Sequence, residues 1–225
     1  MARPWGTGMD RRGVVAVEFA LLAPVLIVLA MSLTDVTHAL ITLWRLSSAA
    51  NAIARIATNL ATTNNNIVSL NNLTTTQATT ASTALFGVVP ELISAPLSKY
   101  GVTISSIVIT ATVNGCTSNC TYVARTAWST KLQGSSPIRP CGTLASVPNG
   151  QSAAIGTLPV DAFTAAPLLV VDVTYNFVPV FTNLFGSGRH FMETAYMGTR
   201  IGGNADWTRL TGPNFALAQC PGYTG

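Results

Sequence analysis

Residues 13–33, GVVAVEFALLAPVLIVLAMSL, constrain this chain more than any other stretch. Between Val14 and Leu33 only Glu18, Pro24 and Ser32 depart from plainly apolar character. A run of that length matches the ~20 residues a helix needs to cross a bilayer core. Arg11 and Arg12 stand directly before it, and by the positive-inside rule they hold the N-terminus in the cytoplasm and send the rest of the chain outward.

Three fates are open to such a run. A secretory signal has a shorter apolar region and an A-x-A-like site after it. The residues that follow here, LTDVTHAL, lack that pattern. A plain signal anchor fits the length but gains nothing from Glu18, because a carboxylate inside a membrane helix costs ~2.5–3.5 kcal/mol at its centre. In the third, a leader is cut between Gly13 and Val14, and the apolar run stays as the N-terminal helix. Glu18 is then the fifth residue. It lies near the positive end of the helix dipole and within reach of a free N-terminal amine, its own or a neighbouring subunit's.

Here the residues resemble a known family. RRGVVAVEFALLAPVLIVLAM has a basic leader, then Gly13, with Glu18 and Phe19 at the fifth and sixth positions after it and an apolar run containing Pro24. This is similar to the opening of TadE-like proteins, minor pseudopilins of tight-adherence (Tad) pilus systems, over about residues 11–55. A second resemblance lies in LLVVDVTYNFVPVF (168–181), with its Tyr-x-Phe-x-Pro order, and in METAYMGTRIG (192–202). The resemblance implies cleavage after Gly13 by a prepilin peptidase and a place at the inner membrane, with the N-terminus cytoplasmic and the C-terminal domain periplasmic. It also implies work with other pilin or pseudopilin subunits and a pilus assembly platform, building a Flp-type fibre used in adhesion or secretion.

Beyond Leu33 the apolar residues change period. Val36, Leu43, Ala50 and Ala57 recur every seven positions, and so do Ala39, Leu46, Ile53 and Leu60. The steps between the two series alternate three and four, the spacing of an apolar seam. Asp35, His38, Arg45, Asn51, Arg55 and Asn59 fall off it, and His38 reads as a solvated surface residue. One helix from Val14 to about Ala61 is therefore expected, apolar all round in its first half and striped in its second. The chain divides into a basic leader (1–13), a transmembrane helix (14–34), an amphipathic extension (35–61) and an extracytoplasmic α+β domain (62–225).

In that domain, 58–83 is rich in Thr and Asn, with a turn expected at Asn64–Asn66, and 85–100 reads as a short helix. YGVTISSIVITATV (100–113) alternates as a strand does, NGCTSNC turns, and TYVARTAW (121–128) returns. The Pro- and Gly-rich stretch 133–167 reads as a long surface loop. Residues 168–181 form the strongest strand pattern, with Pro179 ending its central pairing, and 190–201 form the last strand. The tail 202–225 reads mostly as coil. The fold expected is pilin-like: a long N-terminal helix packed on a small antiparallel sheet of about four strands.

Composition supports export and excludes some functions. Only 9% of residues are charged while 48% are hydrophobic, so Thr, Ser and Asn must supply the polar surface. The cations beyond the membrane run are scattered, which argues against nucleic acid as a partner. The cysteines, Cys116, Cys120, Cys141 and Cys220, are even in number and all follow the run, which favours two disulfides over a zinc site. A Cys116–Cys120 bridge would close a small loop and a Cys141–Cys220 bridge would tie down the tail; all connectivities stay open. No cofactor or metal set is evident. The nearest approach to a catalytic group, Ser187 with His190, has no placed acid, so no enzyme is expected. The rival to an assembly subunit is an uncleaved, single-pass anchored binding domain that uses the 133–167 stretch.

Overall fold

The computed structural model describes residues 11–61, 85–92, 94–151, 154–164, 166–181, 188–198 and 218–222, with the side chains of all but 11–15, 59–61, 91, 218 and 219. The chain forms two compact units, Met1–Ile41 with Val178–Gly188, and Thr42–Phe177 with Arg189–Gly225. Helix α1 runs unbroken over Arg11–Ala61, beginning before Gly13 rather than at Val14.

In the second unit α1 becomes the spine of the domain. Leu46, Ala49, Ala50, Ile53, Ala54 and Ala57 are buried, at the i, i+3, i+4 spacing of one helix face. Four of the six are alanines, which let the helix backbone approach its partner closely. The expected seam holds from Leu46 to Ala57 but not before it. Val36 is exposed, Ala39 and Leu43 are half-buried, and Asp35, expected off the seam, is buried. His38 is half-buried rather than solvated. Asn51 and Arg55 are exposed, as their off-seam positions require.

The partner of this face is a mostly antiparallel sheet. Its strands are β1 (Tyr100–Ala111), β2 (Tyr122–Gly134), β3 (Gly142–Val147), β4 (Thr157–Pro159), β5 (Leu168–Phe177), β6 (Arg189–Gly198) and β7 (Ala218–Gln219). The order is β4-β3-β2-β1-β5-β6, with β7 also pairing β2. The four expected strands are consecutive neighbours in it, β1 against both β2 and β5, and β5 against β6 at the edge. The ladder of β1 and β2 shifts register between Val102 and Thr103 and between Ser106 and Ile107. At the second shift Ala127 is the extra residue, so Ala127 and Trp128 both reach the helix-side core. That core joins Leu46, Ala50 and Ile53 of α1 to Val102, Ile104, Leu169, Val171 and Val173 of the sheet. The segment 85–100 is not one helix: a single helical turn at 85–88 is followed by a 3-10 turn, Pro90–Leu92, because Pro90 has no N–H to continue the first turn.

The opposite face of the sheet is covered too, and the cover corrects the reading of 133–167 as a surface loop. That stretch contains β3, β4 and a 3-10 turn (Val160–Ala162), and β3 and β4 pair in parallel. Leu144 and Leu158 from these strands bury against Ile107, Ile109, Ala124, Leu168 and Val170 in a second core. Asp172, in the middle of β5, is fully buried on this side of the sheet. Arg139 is buried against it: Nε donates to Oδ2 at 2.8 Å and Nη2 to Oδ1 at 2.7 Å. Nη1 donates to the carbonyls of Ile155 (3.0 Å) and Thr157 (3.3 Å). Thr194 Oγ1 donates to Asp172 Oδ1, and the Arg139 backbone N–H donates to Ser129 Oγ, which in turn contacts Ser105 Oγ at 2.8 Å. A bidentate pair with its remaining groups satisfied is the form in which an ion pair can be buried. Beside it, burial pushes the Tyr196 phenol above its ordinary range, with Asp172 adding to the rise and Arg139 opposing it.

The cysteines pair as Cys116–Cys120 and Cys141–Cys220. The first closes the β1–β2 turn. The second joins the start of β3 to the residue after β7, so the tail, read as coil, contributes a short strand and a buried cysteine. The Asn64–Asn66 turn lies outside the described residues.

Three outcomes are expected for this domain, each read by denaturant or thermal unfolding of the detergent-solubilised chain. Arg139→Met alone leaves Asp172 buried without a counter-charge and costs about 3–5 kcal/mol, whereas Arg139→Met with Asp172→Leu restores much of the loss. Opening the 79-residue separation of Cys141 and Cys220 with Ser costs about 4–5 kcal/mol in the chain-entropy account, against about 2 kcal/mol for Cys116–Cys120, separated by four. Glu193 is half-buried in β6 opposite Val173, and burial raises its carboxyl above the ordinary 4.5. A raised carboxyl penalises the folded state once it ionises, so stability is fullest below that value and falls as pH rises through the folded one. Glu193→Gln therefore melts higher than the parent at pH 7, and the difference closes below pH 4.5.

Candidate membrane and assembly site

The first unit carries the features that the apolar run requires. Along α1, Val17, Leu21, Leu22, Val25, Leu26, Ile27, Leu29 and Leu33 are all exposed. An apolar helix surface of this extent is out of place in water and suited to hydrocarbon. α1 is long and apolar enough to span a membrane, consistent with single-pass anchoring. Its polar side chains are closed off locally. Ser32 Oγ, Thr34 Oγ1 and Thr37 Oγ1 each donate at 2.7 Å to the carbonyl four residues earlier, Val28, Ala30 and Leu33. Such bonds leave no hydroxyl donor unsatisfied at the surface, as a lipid environment demands.

Gly13 and Val14, the expected cleavage pair, lie within α1 in its first turn, with Glu18 one turn further on. Glu18 is exposed on the helix surface, and Phe19 beside it is 66% exposed. Glu18 and Phe19 thus both lie open on the surface of α1. Pro24 lies inside the helix. Its missing N–H leaves the carbonyl of Ala20 without its usual donor, at mid-span.

Sequence reasoning missed the second feature of this unit. Asp35, two residues past Leu33, is only 7% exposed. Its Oδ1 accepts the backbone N–H of Val180 at 2.8 Å and its Oδ2 that of Phe181 at 3.2 Å. The carboxylate so clasps the segment that follows β5. The only signal in the sequence was an acid set at the margin of the apolar run, and its partner lies 145 residues away.

Other candidates do not assemble into chemistry. His190 Nδ1 contacts Asn176 Oδ1 at 2.7 Å on the exposed sheet edge, while Ser187 lies outside the described residues. A pocket beside the Cys141–Cys220 bridge, with Arg125, Thr126 and Thr143 on its walls, holds no acid or imidazole. Among the described residues no group of three His, Cys, Asp or Glu could hold a metal ion.

Comparison with known proteins locates the relationship on this same helix. The family model for TadE-like protein matches residues 13–55. No curated protein and no solved structure matches the chain. The matched segment begins at the expected cleavage glycine and ends inside the buried stripe of α1, so it covers the membrane half and the start of the domain spine. Over that N-terminal segment the chain is similar to TadE-like protein.

Proposed function

We propose that this chain is a minor pseudopilin of a Tad-type pilus system: a non-enzymatic subunit cut after Gly13 by a prepilin peptidase and held in the inner membrane by α1. The observation that carries the reading is the coincidence of the TadE-like match with one continuous helix, exposed and apolar at its start and built into a sheet domain at its end. That is the plan of a subunit that must sit in a bilayer and present a folded head outside it. The exposed Glu18 and Phe19 supply the assembly contact. Once Val14 is the first residue, the Glu18 carboxylate offsets its membrane cost by pairing with an N-terminal amine, its own or that of a neighbouring pilin or pseudopilin. The head then faces the periplasm, where both disulfides persist, and meets the assembly platform at the inner membrane.

The test is the intact mass and N-terminal sequence of membrane-extracted protein from cells with and without the peptidase. The expected product starts at Val14 only when the peptidase is present, and Gly13→Ala prevents its formation. Glu18→Ala leaves cleavage intact and abolishes co-purification with pilus components. A chain that still carries Arg11 and Arg12 in both strains overturns the pseudopilin reading in favour of a plain anchored binding domain.

A further inference from the structure

We infer that the segment 178–181, Val-Pro-Val-Phe, is a second membrane contact, seated in the lipid interface beside α1 and held there by Asp35. The inference rests on the anchoring half of the reading above. It starts from depth. Asp35 lies twenty-one residues beyond Val14, where the apolar run of the sequence starts, which is ~32 Å at 1.5 Å per residue. A bilayer core is ~30 Å thick, so this carboxylate stands at the hydrocarbon margin rather than in free water. The exposed apolar surface of the helix continues past it through Val36, Leu40 and Ile41.

A carboxylate at that level needs its charge answered, and the segment supplies the answer. Asp35 takes both N–H groups of Val180 and Phe181 and is almost wholly covered. The same two bonds make the segment fit for lipid. Pro179 has no N–H, so residues 179–181 present no unpaired backbone donor. What the segment presents outward is apolar: Val178 is 49% exposed and Val180 63% exposed. Exposed valines, a backbone with its donors closed and a position at the end of a membrane run together select a lipid surface over water. The contact is continuous with the membrane face of α1, so lipid already seated on the helix extends over it.

The experiment uses the full chain in vesicles whose lipids carry bromine at a shallow or a deep position of the acyl chain. The fluorescence of an added Trp is read as the difference from the parent and its four native Trp residues. Leu26→Trp reports on the helix, and Val180→Trp and Val178→Trp report on the segment. Expected are loss of the Leu26→Trp signal to deep bromines and loss of the Val180→Trp and Val178→Trp signals to shallow ones, as for a group roughly 5–10 Å below the headgroups. Adding Asp35→Ala to Val180→Trp should abolish the shallow quenching, and its persistence would overturn the role given to Asp35. Quenching of Leu26→Trp alone overturns the second contact and leaves the anchor standing. A blue-shifted but unquenched Val180→Trp signal also overturns it, and points to protein as the cover. No quenching at Leu26→Trp overturns the anchor, and with it this inference.

Discussion

Everything in this molecule depends on one helix serving two solvents. Over its first half α1 turns apolar side chains outward, a surface suited to hydrocarbon. From Leu46 to Ala57 it turns one stripe of mostly small side chains into a protein core. The junction itself is chemically distinct. Ser32, Thr34 and Thr37 fold their hydroxyls back onto the helix, and Asp35 spends its charge on two backbone donors. These four polar side chains at the junction are each bonded to backbone groups.

Acids near the two ends of the membrane-capable half stand in different surroundings. Glu18 is exposed, which suits a group that finds its partner in another chain or at a newly made terminus. Asp35 is buried, which suits a group whose partner is already in place. An unpaired carboxylate is costly near lipid, and for Asp35 two backbone N–H groups meet that cost.

The sheet domain solves a separate problem. Its strands carry polar residues on the side away from α1, among them Thr103, Ser105, Ser129, Asp172 and Thr194, where a sheet exposed on that side would simply meet water. Here that side is covered by β3, β4 and their connections, so those residues must be paired, and Arg139 pairs the charged one. The Pro- and Gly-rich composition of 133–167 hid this cover. Its strands are short, one of them pairs in parallel, and within β3 only Leu144 is buried, so no two-residue alternation appears. The turn between β1 and β2, by contrast, was readable because alternation on both sides points to a hairpin and two cysteines flank it.

The sequence alone determined what depends on local period and on length. An apolar run of membrane length, a change to a three-and-four stripe, and strands that alternate at 100–113 and 168–177 are written in neighbouring residues, and α1, β1 and β5 follow from them. The glycine, the acid at the fifth position and the aromatic after it placed the TadE-like segment in the same way. Tertiary structure decided what depends on partners far along the chain: Asp35 with residues 180 and 181, Arg139 with Asp172, Cys141 with Cys220. Each involves a charge or a cysteine whose own neighbours in sequence say nothing of its mate. The physical reason is common to all three. A periodic pattern records which solvent a face will meet, but a lone polar group records only that it needs a partner, and folding chooses which.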